Sequence, residues 1–144
     1  KLTLDPETAH PRLLLSEDLQ KVRWEATHQP LPHHPKRFDS SRCVLTREGF
    51  TSGRSYWEVE VNQGEVWALG LAKESLRRKG RISFNPQVGI WAVGQCGDIY
   101  QALTSPPSPI SLEAPLQVVG VYLDYEEGQV VFFDGKKEEA IFTY

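Results

Sequence analysis

Ser55-Tyr56-Trp57-Glu58-Val59-Glu60-Val61 alternates apolar and polar side chains with a period of two. In an extended chain successive side chains point to opposite faces, so Trp57, Val59 and Val61 share one face while Tyr56, Glu58 and Glu60 share the other. That pattern predicts a strand with one face on a core. Upstream, Gly49-Phe50-Thr51-Ser52-Gly53 reads as the turn that delivers the chain into it. Downstream, Asn62-Gln63-Gly64-Glu65 is a short connection suited to a hairpin with Val66-Trp67-Ala68-Leu69-Gly70.

Further out the same reading repeats. Strands are expected at Arg42 to Leu45, Val66 to Ala72, Gly89 to Val93, Asp98 to Leu103, Val118 to Asp124 and Gln129 to Phe133. Glu126-Glu127-Gly128 and Asp134-Gly135 supply turns, and Thr104 to Pro109 reads as a longer irregular loop. Helical periodicity is confined to Ser16-Glu17-Asp18-Leu19-Gln20, where Ser16 is placed to cap one short turn before Lys21 to Glu25 alternates again. Many short strands and almost no helix predict an all-β antiparallel sandwich of two sheets.

The chain has 144 residues, the length of one domain. Sixteen Lys and Arg against nineteen Asp and Glu give a net charge of −3, without the basic excess of a nucleic-acid or anionic-membrane footprint. No apolar run approaches the roughly 20 residues of a membrane span. Lys1 opens without a signal-peptide pattern and no Met occurs, so an excised domain is expected. Ala140-Ile141-Phe142-Thr143-Tyr144 reads as a strand that stops at the terminus, which suggests C-terminal truncation.

Motifs for catalysis are not found. There is no GxGxxG, Walker A loop or HExxH, and Gly49 to Gly53 has the spacing GxxSG where a nucleophile elbow needs GxSxG. Gln95-Cys96-Gly97 lacks the residue between Gln and Cys of a caspase signature. Cys43 and Cys96 are the only cysteines and are expected as buried, reduced thiols. His33 and His34 are adjacent and would point apart on an extended chain, so no metal and no cofactor is expected. Arg77-Arg78-Lys79-Gly80-Arg81 is read as a solvated basic loop with potential for recognition.

Several segments resemble one family in the right order. Leu4 to Pro11, Leu14 to Asp18 and Arg37-Phe38-Asp39 resemble the PRY segment of PRYSPRY domains. Gly49 to Val61, then Trp67 to Gly70, Arg78-Lys79-Gly80 and Gly89-Ile90-Trp91, are similar to the SPRY motifs, and Val119 to Glu126 with Val131-Phe132-Phe133 to the LDY motif. The resemblance covers essentially the whole chain as one domain, PRY over about 1–48 and SPRY over about 49–144. It implies a bent β-sandwich whose terminal strands are missing here. Trp57, Val59, Val61, Trp67, Trp91, Leu123 and Phe133 are then scaffold.

In function the resemblance implies a non-catalytic module that recognises a protein through variable loops at one end of the sandwich. The parent would be a cytoplasmic ubiquitin ligase of the tripartite-motif type or a scaffold; the alternative is a butyrophilin-type tail binding a small phosphorylated ligand through Arg77, Arg78, Lys79 and Arg81. The loops carried over are Ala26 to Pro35, Ser75 to Pro86, Gly94 to Gly97 and Thr104 to Ser108. Partner contacts are expected at Trp24, Arg78, Arg81, Phe84, Gln95 and Tyr100, with burial as the alternative for each. No nucleic acid or membrane contact is expected, and an unfilled edge would allow a homodimer by strand exchange.

Overall fold

The alternation around Trp57 is realised strand for strand in a computed structural model, which describes residues 1–61 and 64–144. Its strands, numbered in chain order, are β1 Leu13–Leu15, β2 Val22–Trp24, β3 Arg54–Glu60, β4 Val66–Ala72, β5 Ile90–Cys96, β6 Ile99–Ala102, β7 Ser108–Ile110, β8 Val118–Asp124, β9 Gln129–Asp134 and β10 Glu139–Thr143. Residue contacts gather the chain into two compact units: residues 1–49 with 77–83, and residues 50–76 with 84–144.

The second unit holds two antiparallel four-stranded sheets, in the orders β10-β9-β8-β3 and β4-β5-β6-β7. Their facing sides close on one core. Val119 and Val121 of β8, Phe132 of β9 and Ala102 of β6 are fully buried, joined by Val93 of β5 and by Val61 and Leu116. Trp57 and Val59 of β3 and Trp67, Leu69 and Leu71 of β4 pack against this cluster from its rim. Every second side chain of β3 and β4 serves the core, because each sheet offers it one face.

In the second unit several expectations change. β3 pairs with β8 and β4 with β5, so the chain crosses between sheets where a hairpin was expected. Of that turn, Asn62 and Gln63 lie outside the described residues. Phe133 faces away from the core: two consecutive aromatics cannot both point inward, and Phe132 takes the inner position with no exposure. Trp91 is half-buried, opposite Leu71 in the β4–β5 ladder. The expected loop at Thr104 to Pro109 runs into β7, where Pro109 is tolerated because β7 is an edge strand.

The first unit is built around buried backbone carbonyls and a guanidinium. Arg37, 8% exposed, donates to Pro6 O and Ala9 O at 2.8 Å each and to Pro32 O at 3.1 Å. Beside it Phe38 is 1% exposed and Ala9 3%. The expected strand at Arg42 to Leu45 is irregular and ends in a single bridge, Leu4 to Thr46. Its backbone groups are instead taken one at a time by the facing loop: Leu45 O accepts from Asp5 N, Cys43 O accepts from His10 N, and Leu45 N donates to Thr8 Oγ1. Ser16 caps no helix. Its hydroxyl accepts from the Gln20 and Lys21 backbone amides and closes the turn between β1 and β2.

Candidate recognition surface on the second unit

The β5–β6 hairpin is the part of the second unit where polar side chains and exposed apolar ones meet. Gln95 and Tyr100 are direct partners across it. Trp67 donates its indole N–H to Gln95 Oε1 at 2.8 Å, and Gln95 Nε2 donates to Gly97 O at 2.8 Å. The Tyr100 hydroxyl accepts from the Leu116 amide at 3.1 Å, and its ring meets Trp67 edge-on at 6.5 Å. These contacts hold the tip, Cys96 to Ile99, in one geometry without leaving a buried polar atom unpaired.

Two surfaces flank that tip. On the core-facing side a groove of about 380 Å³ runs between the hairpin and the segment 110–115. Tyr100, Ile110, Leu112 and Pro115 give it an apolar lining, and Asp98 and Glu113 carry the charge. On the outer face, Val66, Cys96 and Ile99 stand in one row across three strands. Val66 is 74% exposed and Ile99 63%, and Cys96 is exposed too. The same face of β4 and β5 continues as Ala68 with Gly94 and Gly70 with Ala92, so it carries no charge over these strands. An exposed apolar row of this kind marks an interaction surface more often than chance.

The six expected contact residues separate. Gln95 and Tyr100 come together and line the groove, although both are held by scaffold bonds. Phe84, in the same unit, is 36% exposed and does not line that groove. In the first unit Trp24 is 56% exposed, with the Arg42 guanidinium 5.9 Å from its ring centre. Arg81 is exposed, and its carbonyl accepts from Arg77.

Arg78 is a correction. It is 9% exposed, donates to Lys36 O at 2.9 Å and stands 5.5 Å over the Phe38 ring. Lys79 likewise gives its ammonium to His34 O and Arg37 O, both at 2.7 Å. Gly80 N donates to Asp39 Oδ1 at 2.8 Å, which holds that carboxyl below its ordinary range. The basic run is thus stitched to residues 34–39, with Arg78 buried and Arg77, Lys79, Gly80 and Arg81 exposed. Cys96 is also a correction, because it was expected buried and is exposed; both cysteines are free.

Sequence reasoning missed Val66, Ile99, Asp98 and Glu113. The signal for Val66 was its parity: it lies one residue from core-facing Trp67 and so points outward. Among the described residues no group of three or more His, Cys, Asp or Glu is arranged to hold a metal ion. No described helix is long and apolar enough to cross a membrane.

The family model described as SPRY domain matches residues 54–144, and that described as SPRY-associated domain, PRY, matches residues 2–50. The chain belongs to the SPRY family. It is 48% identical over 143 residues to butyrophilin subfamily 1 member A1 of Bos taurus, covering 99% of this chain and 27% of that protein. It is 44% identical over 144 residues to zinc finger protein RFP of Homo sapiens, covering 99% of this chain and 28% of that one. The chain therefore spans about a quarter of the length of these relatives. Among solved structures, the TRIM65 PSpry domain superposes with a TM-score of 0.85 at 24% identity, covering 99% of this chain and 76% of that one. This likeness shows the sandwich fold. SPRY domains are non-catalytic binding modules whose general work is protein interaction.

Proposed function

We propose that this SPRY domain selects a target protein through the β5–β6 tip, as the recruiting module of a cytoplasmic ubiquitin ligase or scaffold. The uncharged, exposed row Val66–Cys96–Ile99 beside the groove carries the reading. Burying such side chains on a partner gains roughly 25 cal/mol per Å² of apolar area, on a frame already rigid before binding. Similarity to zinc finger protein RFP supports a ligase-type parent.

A small phosphorylated ligand is the competing reading and draws on the butyrophilin relatives. A phosphate site needs cationic donors aimed at one point. Here Arg78 and Lys79 are turned onto backbone carbonyls, which favours the protein partner. Dimerisation by exchange of β10 has less support, since its ladder to β9 forms within the chain and is interrupted between Ala140 and Phe142.

Affinity capture from cytosol compares the wild-type chain with the double variant Val66→Asp, Ile99→Asp. Proteins held by the wild type and lost by the variant, at unchanged Tm, are the expected result. Equal capture by both overturns the site. Calorimetry with pyrophosphate on the wild type is expected to show no heat of binding.

A further inference from the structure

The outer face of the β10-β9-β8-β3 sheet is the second apolar surface of this unit, and the hairpin tip makes no use of it. Its rows follow from the ladder register. Tyr56 lies across from Tyr122, Tyr122 from Val131, and Val131 from Thr143. In the next row Glu58 faces Gly120, Gly120 faces Phe133, and Phe133 faces Ala140. Tyr56 is 52% exposed; Tyr122, Val131 and Phe133 are each partly exposed.

Gly120 shapes the centre of this face. A Cβ there would lie 2.3 Å from the Tyr56 hydroxyl and 2.9 Å from its ring, so only glycine lets the tyrosine lie across β8. The ring then reaches Phe133 edge-on, with centroids 6.3 Å apart. Tyr56, Tyr122, Val131 and Phe133 thus form an apolar, largely aromatic patch, with the Tyr56 hydroxyl lying over Gly120.

Carboxylates stand beside Tyr56, while Lys136 and Lys137 share the β9–β10 turn with Glu138. The Tyr56 hydroxyl donates to Glu58 Oε2 at 2.8 Å, and Glu60 follows two residues on along the same face of β3. Glu138, at the β9–β10 turn, also acts on Tyr56. Burial first, then Glu58 and Glu138, push the phenol pKa up to about 12. The cation on this face of β3, Arg54, is paired with Asp124 at 3.2 Å.

We propose that this face is a second docking surface, whose occupant is an amphipathic helix with an apolar ridge and flanking lysines or arginines. A sheet face is covered by a helix or another sheet, whereas an added strand would pair at an edge and leave the floor bare. Four strands spaced about 4.8 Å apart span about 14 Å, the length of about ten helical residues at 1.5 Å each. Apolar anchors three and four residues apart would meet Tyr56, Tyr122, Val131 and Phe133, and basic neighbours would meet Glu58, Glu60 and Glu138. With the tip engaged elsewhere, the domain would hold two partners at once.

Selection of displayed random 14-residue peptides against this chain tests it, with backbone amide shifts mapping where the selected peptides bind. Enrichment of Leu, Ile or Phe at spacings of three and four with Lys or Arg beside them, and shifts centred on Tyr56, Tyr122, Val131 and Phe133, is expected. Tyr56→Ser and the charge reversal Glu58→Lys, Glu60→Lys should each weaken binding at least tenfold, and raised salt should weaken it further. No enrichment, ridges flanked by acids, or shifts centred on residues 96–99 overturn it. Concentration-dependent self-association abolished by Tyr56→Ser would assign the face to a second copy and also overturn it.

Discussion

Trp67 and Gln95 stand opposite each other in the β4–β5 ladder, and the indole N–H donates to the amide oxygen at 2.8 Å. Gln95 passes the restraint to the hairpin tip through Gly97 O. Gln95→Ala is expected to cost about 1 kcal/mol, the worth of one such bond plus a partly stranded indole donor. Thermal unfolding checks the cost. Faster exchange of the Gly97 and Asp98 amides, with weaker target capture, checks the loss of preorganisation.

Gly70 is required by close approach. A Cβ there would sit 2.1 Å from Trp91 O and 2.6 Å from Ala92 Cα, both backbone atoms that cannot swing aside. Gly70→Ala is expected to destabilise by about 3 kcal/mol through overpacking at the β4–β5 pair. A lower urea midpoint at unchanged m-value is the outcome expected; a midpoint within error of the wild type counts against the packing assigned here.

Tyr56 should titrate late. Its pKa is raised from 10.0 to about 12, by burial first and by Glu58 next. The fold thus favours the protonated phenol: that contribution is complete below the ordinary value and is lost as pH rises through about 12. Absorbance near 295 nm is expected to show a tyrosine ionising step near pH 12, and Glu58→Gln should bring that step down.

The two thiols should differ in rate. Cys96 is exposed, while burial pushes Cys43 from 9.0 up to about 11. Reactivity follows the thiolate and its access to reagent, so iodoacetamide should modify exposed Cys96 faster than Cys43 in the folded protein. Equal rates would contradict the burial of Cys43. A bound target should protect Cys96.

Arg78 should matter for stability. Arg78→Ala removes a charged donor from Lys36 O and the cation over Phe38, at an expected cost of about 2 kcal/mol. Arg78→Lys keeps the charge but not the planar fork and should recover only part of it. Target capture at 20 °C should be unchanged in both.

Much of the architecture was readable from local pattern. β3, β4, β8 and β9 fall within a residue of the alternating runs that predicted them, because each serves one core face with every second side chain. The turn at Glu126 to Gly128 joins β8 to β9 as a hairpin, as its residues suggested. Pairing was a different matter. Nothing in the Trp57 and Trp67 strands says that they belong to opposite sheets, since the choice lies with distant partners, β8 and β5.

The candidate surfaces divide along the same line. Gln95 and Tyr100 were expected from the family resemblance, with Gln95 in a loop; that they face each other follows from β5 running on to Cys96 and pairing with β6. The burial of Arg78 was not legible, because a run of five residues with four cations looks solvated until residues 34–39 fold back beneath it. Alternation and turn chemistry determined, on their own, a two-sheet β protein and the inner and outer sides of most strands, since both act over neighbouring residues. Which outer faces stayed open, which cations were spent on carbonyls and which of two adjacent phenylalanines went inward were decided only by the tertiary structure, because each depends on partners tens of residues away competing for the same space.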